Sequence, residues 1–334
     1  MIEVSNLSKD FKTAKKYPGF KGTVRALFSN ETMIKKAVTD VSFHIDKGEM
    51  VGYIGSNGAG KSTTIKMMTG ILVPTQGECL VNGIEPYKNR TQNAKQIGVV
   101  FGQRTQLWWD LPLCETFTVL KEIYQVSDQD FKQRMEFLND VLGIQEFQSN
   151  AVRTLSLGQR MRADLGAALL HNPQVLFLDE PTIGLDVVVK DKIREAIKEM
   201  NRNFKTTVIL TTHDLVDIEE LCQHIIMIDE GKKIYDGTLE KLKTNHGART
   251  ILELEVEEIN QLRELNLNEI FSLNEEDLSM GIQENTVAIS FEKNKISVSK
   301  LAGYVMSISN VKDMRIKETD VTTIVKQIYM NGVK

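Results

Sequence analysis

The chain has 334 residues, of which 41% are hydrophobic and 26% charged, with a formal net charge of −4. That length exceeds one small core and fits a large α/β domain with a smaller appendage, and the apolar content excludes a predominantly disordered chain. The acidic balance supplies no concentrated positive field for nucleic acid.

The chain opens with MIEVSNLSKDF, which lacks the basic-then-apolar pattern of a secretion leader, and no run approaches the roughly 20 apolar residues of a membrane span. A chain soluble on its own is the expectation. Ile2 to Leu7 alternates as a strand does, and Ala37 to Ile45 repeats the pattern before the turn Asp46-Lys47-Gly48-Glu49. Between them residues 12–36 form a basic insertion, read as a long hairpin loop or a short inserted helix. Its charge fits either a solvated face or a surface for anionic lipid headgroups or a partner.

Met50 to Ile54 is a short apolar strand that runs into a glycine-rich turn and a helix over Lys61 to Thr69. Strand and helix then alternate: a strand over Val99 to Phe101, helix over 115–142, a strand over Val175 to Leu178, helix over 187–202 and a strand over Thr207 to Leu210. Short apolar strands alternating with helices predict a parallel sheet covered on both faces. Ile225 to Ile228 and Lys233 to Tyr235 read as a strand pair around Asp229-Glu230-Gly231. The texture changes after Gly247: ILELEVEE, TVAISFE and VKDMRIKE read as strands, with helices over Val298 to Ile308 and Val321 to Tyr329. Residues 1–247 are thus expected to form one domain and 248–334 a small α+β accessory domain. Cys79, Cys114 and Cys222 form no C-x-x-C and read as reduced thiols.

Gly55-Ser56-Asn57-Gly58-Ala59-Gly60-Lys61-Ser62 matches G-x-x-x-x-G-K-[ST] in full, with a strand before it and a helix after it. Glycines let successive backbone N–H groups turn inward on nucleotide phosphates, and the helix that follows adds its positive end. Lys61 is expected to reach the β- and γ-phosphates and Ser62 to ligate Mg²⁺. A second strand, Val175 to Leu178, ends in the carboxylates Asp179 and Glu180. Alone, such a pair is a solvated strand end. Following a phosphate loop, it reads as the second half of the site, with Asp179 on Mg²⁺ and Glu180 activating water.

Between these motifs stands Leu155-Ser156-Leu157-Gly158-Gln159, which resembles the signature of ABC ATPases, usually LSGGQ. Further markers follow the family's order: Gln103 resembles its Q-loop glutamine, Pro181-Thr182-Ile183-Gly184-Leu185-Asp186 its D-loop, and His213 its switch histidine. The resemblance covers about residues 1–240. It implies an ABC cassette with a mostly parallel sheet, an antiparallel β edge and a helical subdomain at about 104–170. It also implies ATP and Mg²⁺ as cofactors, and a homodimer sandwiching two ATP molecules. Thr63 joins the phosphate-loop residues on this basis. Ser156, Gly158, Gln159 and Asp186 are carried over as contacts made across the dimer, and Gln103 as a Mg²⁺ and water sensor. Phe11 stands where the family often has an aromatic on adenine, although a phenylalanine near a first strand equally serves a core, and Tyr17 is an alternative. Leu157 departs from the usual glycine, but Ser156, Gly158 and Gln159 remain, so the γ-phosphate contact is expected to survive. His44, His171, His224 and His246 match no family position and read as structural.

The resemblance further implies separate transmembrane permease subunits, with this chain peripheral to the cytoplasmic face of the membrane. The runs VVFGQRTQLWWDLP and LSLGQRMR look most like prokaryotic ABC-2-type exporters. Trp108, Trp109, Leu111 and Pro112 read either as a docking groove for a partner helix or as burial within the helical subdomain. Two alternatives compete: a soluble ABC ATPase acting on ribosomes or nucleic acid, and a binding module that uses ATP without turnover.

Overall fold

The computed structural model describes residues 1–14, 32–102, 104–245, 249–257, 259–263, 265–274, 277–293, 295–318 and 321–331. Residues 15–31 of the basic insertion (Tyr17 among them), Gln103 and His246 lie outside the described residues. The chain divides into two compact units, Met1–Leu239 and Glu240–Lys334.

In the first unit β1 (Ile2–Ala14) and β2 (Thr32–Ile45) pair antiparallel, so both arms of the insertion extend the strands beyond the expected Leu7 and Ala37. The alternation breaks off early because the register shifts between Val4 and Leu7, where Asn6 takes a left-handed φ of 50°. There follow β3 (Met50–Gly55), α1 (Lys61–Met68), β4 (Gln76–Val81), α2 (Arg90–Ala94) and β5 (Ile97–Phe101). β4 pairs with β1 to complete a three-stranded sheet in the order β2-β1-β4.

The segment expected as one helix over 115–142 is two, α3 (Leu113–Tyr124) and α4 (Asp128–Leu142). Gln125 closes α3 in the left-handed conformation, and the Ser127 hydroxyl accepts from Asp130 N to start α4. The chain continues through α5 (Leu157–Leu169), β6 (Val175–Asp179), α6 (Val187–Phe204), β7 (Thr207–Thr211) and α7 (Leu215–Leu221). β8 (His224–Asp229) and β9 (Lys232–Thr238) complete the first unit, and α8 (Leu239–Asn245) begins at its last residue and belongs otherwise to the second.

The main sheet has the order β5-β6-β7-β3-β8-β9, parallel through β8 and antiparallel at β9. Its central strands are apolar along their length because both faces are covered: Leu176, Phe177 and Leu178 of β6 and Val208, Ile209 and Leu210 of β7 are all buried. Burying each such side chain stabilises the fold by about 1.5–3 kcal/mol. One cluster unites the two sheets, joining Ile2, Leu7 and Phe43 to Tyr53, Ile65, Phe177 and Ile226.

The second unit runs β10 (Arg249–Val256), α9 (Asn260–Arg263), α10 (Leu267–Phe271), β11 (Leu278–Gln283), β12 (Thr286–Glu292), α11 (Val298–Ile308), β13 (Val311–Glu318) and α12 (Val321–Asn331). Its sheet order β11-β12-β10-β13, antiparallel throughout, is the split β-α-β arrangement of ferredoxin-like folds. Leu252, Leu254 and Val256 alternate inward on β10 and pack with Val287, Ile289 and Phe291 of β12 and with Leu301 and Val305 of α11. No described helix of the chain is long and apolar enough to cross a membrane.

Candidate active site

The sheet order brings three motif-bearing strand ends together. β7 lies between β3 and β6, so the loop after β3, the carboxylates after β6 and His213 after β7 open from adjacent C-terminal strand ends. Ligands of open α/β sheets bind at that edge.

The loop after β3 folds as its glycines demand. Gly60, at φ 106°, caps α1, and a Cβ there would stand 2.5 Å from the Ala37 carbonyl oxygen, so only glycine lets β2 pass this close. Ser56, Asn57 and Gly58 are exposed, Gly55 is half-buried, and Ala59 is buried beneath them. Ser56 Oγ donates to Asp229 Oδ1 at 2.8 Å, tying the loop to the end of β8. The Lys61 ammonium donates to the carbonyls of Gly55 (2.6 Å) and Ser56 (3.1 Å). Burial pulls the Lys61 ammonium below its ordinary range, while Glu180 and Asp179 act to keep its charge. Ser62 and Thr63 follow in the first turn of α1, Ser62 exposed and Thr63 half-buried.

Asp179 closes β6, and its Oδ1 accepts from Thr211 Oγ1 at 2.5 Å and lies 3.5 Å from Ser62 Oγ. A hydroxyl and a carboxylate converging in this way are hard oxygen donors, and they fit Mg²⁺, which takes one or two protein oxygens beside substrate phosphates. Glu180 comes next, in a left-handed conformation at φ 59°. Its backbone N–H donates to Thr211 O at 2.9 Å, and its carboxylate meets His213 twice, at 3.3 Å from the backbone N–H and 3.3 Å from Nε2. Burial raises the Glu180 carboxyl above the usual carboxylate range, against the opposing pull of His213 and Lys61. Gly102 packs so closely that a Cβ would stand 2.1 Å from the Glu180 carbonyl oxygen, and its N–H donates to Asp179 O at 2.8 Å. Gln103 itself lies outside the described residues.

Ser156 caps α5 in a full capping box, accepting from Gln159 N at 3.2 Å while Gln159 Oε1 accepts from Ser156 N at 2.9 Å. The signature therefore presents a helix start. Gly158 lies against Val189 of α6, and Leu157 reaches over Gly184 in the loop after Glu180, where a Cβ would meet Leu157 Cδ2 at 3.3 Å. Leu157 nonetheless remains 40% exposed. Asp186 caps α6, its Oδ1 accepting from Val189 N at 3.0 Å.

Phe11 is half-buried on β1 with Lys9 Nζ 5.4 Å from its ring centroid, and it pairs with Lys35, two residues before the Ala37 that crosses Gly60. Trp108 and Trp109 are 40% and 49% exposed, so burial does not account for them, whereas Pro112 forms a bridge with Ala151. His171 lies flat on Tyr124 and bonds Ile97 O, and burial drives its pKa down to about 4.

Sequence reading passed over a buried polar knot behind the site. Asp217 of α7 is fully buried and accepts from Thr182 Oγ1 (2.5 Å), Thr212 Oγ1 (3.1 Å) and Arg194 Nε (2.7 Å). Lys190 Nζ reaches Asp214 at 2.5 Å. The loops flanking Glu180 and His213 thereby share one acceptor. Thr182 stood within the D-loop resemblance and Thr211 in the strand before His213, and neither carried a signal of these bonds.

A family described as ABC transporter matches residues 38–183. The chain is 30% identical over 309 residues to the linearmycin resistance ATP-binding protein LnrL of Bacillus subtilis, covering 92% of this chain and 96% of that protein. It is 35% identical over 215 residues to the ABC transporter ATP-binding protein NatA of the same organism, covering 64% and 87% respectively. Among solved structures, a dimeric post-hydrolysis state of the ATP-binding cassette MJ0796 bound to ADP and Pi aligns with a TM-score of 0.60 at 26% identity, covering 72% of this chain and 99% of that one. The chain belongs to the ABC transporter family, as the subunit that binds and hydrolyses ATP.

Proposed function

We propose that this chain powers export through separate membrane-spanning permease subunits, as a homodimer that closes on two ATP molecules and reopens after hydrolysis. The observation that carries the reading is the meeting of Glu180 with His213, 3.3 Å apart, beside the ends of β3 and β6. Lys61 would leave the loop carbonyls for the β- and γ-phosphates, whose charge is a stronger partner. Ser62 and Asp179 would hold Mg²⁺, which neutralises the phosphate charge when bound. Glu180 takes the proton of the attacking water as its oxygen bonds to the γ-phosphorus and the bond to the β–γ bridging oxygen breaks. A carboxylate held above its ordinary pKa is the better base for that transfer. His213 orients Glu180 and faces the γ-phosphate, and Gln103, adjoining Gly102, senses both water and metal.

One chain supplies one phosphate loop and one signature. Ser156, Leu157, Ile183, Asp186, Val187 and Val188 are exposed, the last two at 71% and 67%, which supports a face that a second copy covers. Across it the Ser156 hydroxyl, Gly158, Gln159 and the start of α5 would meet the partner's γ-phosphate, with Asp186 following. Phe11 would stack on adenine, supported by its place beside the strand that crosses Gly60.

The exposed Trp108–Trp109 pair is the docking surface for the permease, which would hold the chain at the cytoplasmic face of the membrane. Export of a drug-like or lipid-like cargo is supported by the relative whose name records linearmycin resistance. The test is recovery of tagged Glu180→Gln protein with ATP from detergent-solubilised cells. A stoichiometric multi-spanning membrane protein is expected; ribosomes or nucleic acid in its place would overturn the transport reading.

A further inference from the structure

Asp164 sits at the middle of α5, eight residues beyond the Ser156 cap and so about 12 Å along the helix at 1.5 Å per residue. It is 6% exposed. Its Oδ1 accepts from Thr105 Oγ1 at 2.9 Å and from Gln106 N at 3.0 Å, and Gln106 Nε2 donates back to the Asp164 carbonyl at 3.2 Å. Leu107 N closes the turn on Thr105 Oγ1 at 3.1 Å. The next two residues are the exposed tryptophans.

Beyond them the same segment is fastened to the residues just ahead of α5. Arg153 N donates to Trp109 O at 2.9 Å, Val152 N to Leu111 O at 3.1 Å, and Arg153 bonds Asp110 at 2.8 Å. The Arg160 guanidinium lies 5.6 Å from the Trp109 ring centroid. Among these ties the Asp164 carboxylate is the buried one, and it gathers two donors from outside its own helix. Removing it would leave Thr105 and Gln106 N without their acceptor in a dry site, which makes the segment's near end the place where the fastening fails. Burial pushes the Asp164 carboxyl up to about 6, so a charged acceptor is retained at neutral pH although its charge is penalised there.

We propose that Asp164 is a positioning residue that locks the Trp108–Trp109 segment to the signature helix, so that the docking surface and Ser156 move as one body. The use of that lock rests on the reading of the tryptophan pair as the permease surface; the lock itself does not. A membrane subunit pressing on the tryptophans would then displace the signature without an intervening hinge, and ATP held against Ser156 would shift the tryptophans in return.

Trp108 and Trp109 are the chain's two tryptophans, so fluorescence excited at the red edge, where the seven tyrosines do not absorb, reports this segment. Time-resolved anisotropy of the purified full chain is the test. Asp164→Ala should raise the amplitude of fast local depolarisation by about twofold, Thr105→Val should raise it less, and Asp164→Asn, which keeps the acceptor oxygen, should restore most of the wild-type value. ATP should shift tryptophan emission in wild type and in Asp164→Asn, and the shift should shrink in Asp164→Ala at equal ATP occupancy. Should Asp164→Ala fail to fold, Thr105→Val carries the comparison, since it leaves α5 intact. Wild-type anisotropy in both Asp164→Ala and Thr105→Val overturns the proposal. The docking reading fails separately, if Trp108→Ala/Trp109→Ala protein still recovers the membrane subunit.

Discussion

Arg194 and Asp217 meet behind the active site, with guanidinium Nε and one terminal nitrogen each 2.7 Å from the same carboxylate oxygen. The other oxygen of Asp217 takes Thr182 and Thr212. One buried carboxylate therefore fixes α6, α7, the loop that follows Glu180 and the loop that leads to His213. Asp186, at the start of α6, and His213, at the start of α7, lie at the two ends of this connection. A displacement of the Asp186 loop by a second copy has a packed, hydrogen-bonded route to His213.

Breaking that pair should be severe because it strands a charge in the interior. Asp217→Ala is expected to lower unfolding free energy by about 3–5 kcal/mol, whereas replacing both partners with leucine should lower it by less than either single change. Urea titration of the two single variants and the double variant measures this. A double variant as unstable as the sum of the singles would mean that the groups do not act as a pair.

The legible part of the site was the part written in consecutive residues. Gly55 to Ser62 and Asp179-Glu180 each occupy one turn or strand end, so their chemistry appears in the order of the letters. Arg194 and Asp217 are separated by 23 positions and meet only after α6 and α7 pack, which no periodicity encodes. The fold shows the same division. The apolar strands β6 and β7 were plain, whereas β4 carries Gly77 at φ 80° and exposes its first three residues, which hides its alternation. In the second unit β11, LSMGIQ, is short and likewise half-exposed, so its place at the sheet edge came only from the pairing with β12.

Glu180 gives a prediction with a definite sign in pH. As a base it must be deprotonated, and burial raises its carboxyl above the ordinary range. Turnover at saturating ATP should therefore begin to fall, as pH is lowered, at a higher pH than an exposed glutamate would allow. Glu180→Gln should still bind ATP, hydrolyse it about 10²–10⁴-fold more slowly, and lose that acid limb. Phosphate release measured across pH decides it; wild-type turnover in Glu180→Gln would remove the residue from the chemistry.

Mixing two inactive variants tests whether sites are shared. Lys61→Ala damages the site that its own chain forms, and Ser156→Ala damages the site it completes on the other chain. Ser156→Ala also loses its helix cap, at about 1 kcal/mol of stability. Each homodimer should be inactive, but a random mixture contains heterodimers in which both defects fall in one site and the other is whole. About one quarter of the wild-type sites should then occlude ATP. An inactive mixture, with heterodimers shown to form by paired affinity tags, would mean that sites are not built across copies.

Asp164 supplies a stability prediction that is independent of catalysis. Burial moves its carboxyl from 3.8 to about 6. The folded chain therefore holds this proton more tightly than the unfolded chain does. Its contribution is fully present below pH 3.8 and is lost as pH rises through about 6. The whole effect amounts to about 3 kcal/mol, so at neutral pH the ionised group sits in the fold at a penalty. Asp164→Asn cannot titrate, and it keeps an oxygen toward Thr105 and Gln106. Compared at pH 8 and pH 5 by urea unfolding, wild type should gain stability relative to Asp164→Asn at the lower pH, by roughly half of that amount. An unchanged difference at the two values would show that Asp164 keeps its charge throughout, held by Thr105, Gln106 and the nearby Arg160 more firmly than burial opposes it.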